Sequence, residues 1–224
     1  MSDDSIFREV DEAIRQDRYK ALWDKYGVYV LLAAILIVLT VAGYNIWTWW
    51  QNKQASDAGV QFVNALQLEA DGKGVEAAAA FQELADSGPK GYRMLARFQL
   101  AAAMAKTGDR DGAVGAYDAI ASDGSLDELL RGYAAVQAAS LRVDEAGLDE
   151  MKQRLEALAA GDSPWKHSSR ELLGLSAYRN GDNAEAERLF SQLLLDQTAP
   201  PNLKRRADVM MALLVKAEPA TGNQ

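Results

Sequence analysis

From Tyr26 through Asn52 the chain runs 27 residues without a charged side chain, with Asp24 and Lys25 before the run and Lys53 after it. As a helix rising about 1.5 Å per residue the run reaches roughly 40 Å, more than the ~30 Å hydrocarbon core of a bilayer, which needs only ~20 residues. A buried core helix of a soluble domain is amphipathic or shorter. Val30 to Val41 is apolar on every face apart from Thr40, whose hydroxyl can bond back to its own helix. Tyr26 and Tyr29 stand at one end and Tyr44, Trp47, Trp49 and Trp50 at the other, where amphipathic rings prefer the headgroup layer. A cleaved signal peptide has a shorter apolar region that ends in small residues. Here a tryptophan cluster follows, so the run predicts an uncleaved signal anchor.

The basic residues orient that anchor. Residues 7–26 contain Arg8, Arg15, Arg18, Lys20 and Lys25, whereas residues 51–70 contain only Lys53. Orientation follows Lys and Arg rather than net charge, so the seven acidic residues before the run do not cancel the bias. The N-terminus is expected in the cytoplasm; in a Gram-negative bacterium the anchor then lies in the inner membrane and the large C-terminal part in the periplasm. The absence of cysteine is compatible with either a reducing or an oxidising compartment. The net charge of −8, without a basic run, argues against a nucleic-acid partner.

The sequence thus divides into a cytoplasmic amphipathic segment (1–25), the transmembrane anchor (26–52), a helical domain (53–217) and a short tail (218–224). In the first segment Phe7, Val10, Ile14 and Leu22 fall near helical spacing, and Arg8 with Glu12 and Asp11 with Arg15 are pairs four apart. This fits a solvated or membrane-surface helix first, with a docking site for a cytosolic partner as the alternative.

The helical domain repeats itself. A glycine, a small residue five positions on and an aromatic nine positions on occur as Gly72, Ala77, Phe81, as Gly108, Ala113, Tyr117, and as Gly181, Ala186, Phe190. The intervals are 36 and 73 residues, the second close to twice the first. Physically, the glycine permits a tight turn between two antiparallel helices, the alanine lets the second helix approach the first, and the aromatic fills the space toward the next pair. These positions match the tetratricopeptide repeat (TPR), with its period of about 34. The doubled interval leaves room for a degenerate unit, with helices near Leu126 to Leu141 and Leu148 to Ala159. A last helix near Leu203 to Lys216, carrying Lys204, Arg205 and Arg206, would cap the stack with the polar outer face that terminal repeats need. The expected fold is all-α: one transmembrane helix, then a TPR-like α-solenoid of about four helix pairs plus a capping helix.

The arrangement resembles membrane-anchored bacterial TPR proteins typified by the ancillary subunit of the Sec translocon. The resemblance rests on "SDAGVQFVNAL" (Ser56 to Leu66), "YRMLARFQLA" (Tyr92 to Ala101) and "SPWKHSSRELLGLSAYRNGD" (Ser163 to Asp182). The opening "IFREVDEAIRQDR" (Ile6 to Arg18) is similar to the cytoplasmic segment of alphaproteobacterial relatives. It implies a periplasmic TPR domain that associates with the translocon and with a membrane-anchored chaperone of the prolyl-isomerase type.

Residue chemistry offers no catalytic, cofactor or metal constellation. His167 is the only histidine and there is no cysteine, which removes Ser-His-Asp and Cys-His arrangements with a spare base and multi-His or thiolate metal sites. His167 follows Pro164-Trp165 and reads as an exposed helix-start residue. The acidic pairs Asp109 with Asp111 and Asp144 with Glu145 fall at turns, where they cap helices. Binding is the better class. The first helices of a TPR stack line a concave face, and counting back from the turn glycines puts Phe62, Leu66, Leu95, Phe98, Leu175 and Tyr178 toward it; each can equally serve packing between repeats. Trp165 reads as a wedge between repeats. The expected function is a non-enzymatic interaction module at the translocon, acting as scaffold or chaperone on secreted or envelope proteins. An assembly factor for another cell-envelope complex is the alternative.

Overall fold

The computed structural model describes residues 3–217. The expected tail from Glu218 lies outside the described residues, as do the side chains of Phe7, Val10, Ile14 and Leu22. Nine helices and no strand are found among the described residues: α1 (Asp3–Ala70), α2 (Gly74–Ser87), α3 (Lys90–Lys106), α4 (Arg110–Ala121), α5 (Glu128–Arg142), α6 (Leu148–Ala160), α7 (Lys166–Arg179), α8 (Asn183–Leu195) and α9 (Pro201–Ala217). They fall into two units, one ending at Asp57 and one starting at Ala58.

The first unit is helical over its described residues, and its helix is long and apolar enough to cross a membrane. Its large side chains, among them Leu31, Ile35, Val38, Tyr44 and Trp47, are exposed. The two threonine hydroxyls in the run are satisfied by their own helix: Thr40 Oγ1 donates to the Leu36 carbonyl at 2.8 Å and Thr48 Oγ1 to that of Tyr44 at 3.0 Å. Such bonds remove the cost of placing a hydroxyl in hydrocarbon. Cations stand over rings at both ends, Lys25 over Tyr26 at 5.3 Å and Lys53 over Trp49 at 5.6 Å.

The second unit is a run of helix pairs: the end of α1 with α2, α3 with α4, α5 with α6, and α7 with α8, closed by α9. Its core is a chain of local clusters rather than one centre. Ala65, Ala77, Phe81 and Ala96 form the first, which joins a pair to the helix that follows it. Ala101, Tyr117, Ile120 and Ala138 form the next. Met151, Leu155, Leu173 and Leu189 belong to a third, and Ala186, Phe190, Ala207 and Leu214 to the last. This nearest-neighbour packing is what a stack of repeats requires, because no pair buries its apolar face alone. Alanine lines the helix crossings and lets backbones come close, while Phe81, Tyr117 and Phe190 in three of the pairs and Met151 with Leu155 in the α5–α6 pair, each worth about 1.5–3 kcal/mol of burial, fill the remaining space.

One expectation fails at the end of the stack. The outer face of α9 is mixed rather than polar: Arg205, Arg206, Asp208 and Lys216 are exposed on the helix, but so are Val209 and Leu213, four residues apart, at 60% and 43%. The inner face of α9 is occupied by Leu203, Ala207 and Leu214, and no further helix among the described residues covers the other side.

Candidate partner-binding surface

Three turns share one geometry. Gly72, Gly108 and Gly181 have φ of 78°, 90° and 80°, the positive values among the described residues. After each glycine the next N–H reaches back five residues: Lys73 to Leu68, Asp109 to Met104 and Asp182 to Ala177, each at 2.9 Å. This pattern satisfies carbonyls left open at a helix C-terminus and demands a left-handed residue, which glycine adopts without a Cβ penalty. Asp109 and Asp182 then cap the following helix, accepting from Gly112 N at 3.0 Å and Glu185 N at 3.1 Å. Ala77, Ala113 and Ala186 are fully buried, as are Phe81 and Phe190, with Tyr117 nearly so. The α5–α6 turn differs: the Arg142 carbonyl accepts from Glu145 and Ala146, and Gly147 begins α6 in an extended conformation.

The positions counted back from these glycines differ in exposure and packing. Phe62 is half-buried and packs its ring on Phe81 at 5.6 Å and Tyr92 at 6.0 Å; Leu66 packs on the same cluster. Tyr178 lies against the last cluster. Phe98 is half-buried between Tyr117 at 6.3 Å and Tyr133 at 5.5 Å. Leu95, by contrast, is 42% exposed. Leu175 lines a groove of about 430 Å³ between α7 and α9, shared with Glu171, Asn202, Arg205, Arg206, Val209 and Met210.

Counting from the glycines misses Tyr133, Leu129 and Trp165. Tyr133 is 36% exposed and Leu129 48% exposed, and the Tyr133 ring continues from Phe98 to Trp165 at 5.3 Å. Trp165 bridges α5 and α7: its Nε1 donates to the Leu129 carbonyl at 2.9 Å and its ring occupies the space left by the missing Cβ of Gly132. Rings from α3, α5 and the start of α7 thus form one row, with Leu95 and Leu129 open beside it. The third pair lacks the glycine–alanine–aromatic triplet to count from, so α5 has no register in the sequence. The aromatic residues themselves were the available signal.

Ion pairs tie neighbouring helices of the stack together. Glu171 on α7 is buried and accepts from Arg206 Nε at 2.5 Å and its terminal nitrogen at 2.8 Å; the carboxylate raises the Arg206 pKa. Lys106 pairs with Glu69, joining the end of α3 to the end of α1. Asp196, in the α8–α9 loop, is held well below the ordinary carboxylate range by the Thr198 hydroxyl and N–H, then by Lys166 and His167. His167 is therefore not the exposed helix-start residue expected. Its side chain is 13% exposed and its Nε2 lies 3.1 Å from Asp196, because the loop folds over the first turn of α7.

The model of the tetratricopeptide repeat-like domain family matches residues 20–208. The chain belongs to that family. The match takes in the uncharged run of α1 as well as the helix pairs of this TPR-like domain. Comparison with curated proteins and with solved structures gives no match. TPR-like domains mediate protein–protein interaction.

Proposed function

We propose that the chain is a membrane-anchored, non-enzymatic scaffold, with residues 26–52 as the anchor and 53–217 as the interaction domain. The N-terminal segment lies in the cytoplasm and the TPR-like domain in the periplasm. The observation that carries the reading is the ring row Phe98, Tyr133 and Trp165 with Leu95 and Leu129 exposed beside it. An apolar strip set between charged residues suits an extended or helical segment of another protein. Tethering helps such a strip, since confinement to one membrane raises the local concentration of partners and makes modest affinity effective. The resemblance in sequence supports the Sec translocon and its membrane-anchored prolyl-isomerase-type chaperone as those partners.

The test is a photo-crosslinker at Leu95 or Tyr133 in the full chain, in the native membrane. Translocon subunits or the chaperone should be captured, and Leu95→Asp with Tyr133→Asp should weaken their co-isolation about tenfold, equivalent to about 1.4 kcal/mol. Capture of subunits of another envelope complex instead would keep the scaffold and assign it to assembly of that complex. If translocon subunits still co-purify once the TPR-like domain is deleted, the anchor carries the association and the ring row does not.

A further inference from the structure

The groove between α7 and α9 differs in chemistry from the ring row. Its floor is Leu175, Val209 and Met210. The buried Glu171 carboxylate on its wall is already matched by Arg206 through two hydrogen bonds, so that pair brings no net charge. Arg205 is exposed, lines the same groove and takes part in none of the ion pairs among the described residues. Asn202 adds an exposed amide one turn away. The rim is therefore cationic in a chain whose net charge is −8. The apolar strip runs on from Val209 to Leu213, beyond the groove, on a face that no described helix covers.

A guanidinium presents paired N–H donors that match a carboxylate in two-pronged geometry. An apolar floor beside it selects carboxylates that have apolar neighbours. A polyanion such as nucleic acid would meet one unpaired guanidinium and a repelling chain. We propose that this groove docks an acidic segment of another protein, seating two apolar side chains along Leu175, Val209 and Leu213 and one carboxylate on Arg205. The proposal deepens the scaffold reading above by adding a second, charge-selective contact at the end of the stack.

The test uses the full chain in lipid nanodiscs and a fluorescent peptide of about twelve residues built from Leu and Glu, against one with Lys in place of every Glu. The Glu peptide should bind at least about tenfold more tightly, and the gap should narrow as salt is raised. Arg205→Glu should remove that preference, Val209→Ser should weaken both peptides, and Val75→Ser, on α2 away from both surfaces, should change neither. All three positions are exposed, and circular dichroism checks that helicity is kept. Equal binding of the two peptides, or an Arg205→Glu variant that binds like the parent, overturns the proposal. So does sedimentation showing a dimer that Val209→Ser dissolves, since a second copy would then occupy the face. Failure of the crosslinks at Leu95 and Tyr133 with Arg205-dependent binding intact would count against the ring row alone; the converse would count against this groove alone.

Discussion

At the scale of single residues, the same amino acid acts in opposite ways on neighbouring helices. Gly115 on α4 has nothing within 4 Å of the place a Cβ would take, whereas a Cβ on Gly132 of α5 would lie 2.5 Å from Trp165 Cδ1. The indole cannot step aside without giving up its bond to the Leu129 carbonyl. Alanine gains about 1 kcal/mol over glycine inside a helix, but overpacking costs about 1–3 kcal/mol. Gly115→Ala should therefore stabilise by up to about 1 kcal/mol, and Gly132→Ala should come out about 1–3 kcal/mol below it in urea unfolding followed by circular dichroism. Equal shifts would mean that Trp165 is not locked between α5 and α7. Ala113→Leu and Ala186→Leu should each cost a similar ~1–3 kcal/mol, because both alanines are fully buried at helix crossings. A change of only a few tenths would put those side chains at the surface.

At the scale of elements, loops tie the pairs together, and one of them titrates. Asp123, between α4 and α5, accepts from the Ser125 hydroxyl at 2.7 Å and Arg97 at 2.7 Å. Chiefly through Ser125, then Arg97, its pKa falls from 3.8 to about 2. A carboxyl lowered on folding stabilises the fold fully above its unfolded pKa, and that contribution is lost as pH falls through the folded value. Stability should thus decline between pH 3.8 and about 2, and Asp123→Asn should flatten that part of the curve; an unchanged slope would assign the acid sensitivity to other carboxylates. Such ties are what the sequence hides. The helices of the unit from Ala58 onward were legible from apolar spacing, and the three tight turns from glycines whose positive φ follows from local chemistry. Arg154 reaching Asp118 across α6 and α4 at 2.6 Å, or Trp165 finding Leu129, joins residues 36 apart with no local signature. The candidate surface was legible in part for the same reason. Leu95 and Leu175 were reached by counting from the glycine of a triplet, while Tyr133 sits in the pair that lacks the triplet. Phe62 and Tyr178 show the limit of counting, since large rings at those positions turn partly onto their own pairs.

At the scale of the whole molecule, the side of the membrane proposed for each segment decides which partners it can meet. Helix length and apolarity leave that side open, because they are the same in both directions. The basic residues break the symmetry: Arg8, Arg15, Arg18, Lys20 and Lys25 precede the uncharged run, and Lys53 alone follows it within the next turns. Holding positive charge on the cytoplasmic side is the general bias of membrane insertion, and acidic residues do little to offset it. Because the chain has no cysteine of its own, Ser2→Cys and Gln224→Cys each introduce a single thiol. In intact spheroplasts an impermeant thiol reagent should label the variant at residue 224 and leave the one at residue 2 untouched until the membrane is broken. Labelling at residue 2 alone would place the TPR-like domain in the cytoplasm. The ring row and the α7–α9 groove would then face cytosolic proteins, and a periplasmic chaperone could not be their partner.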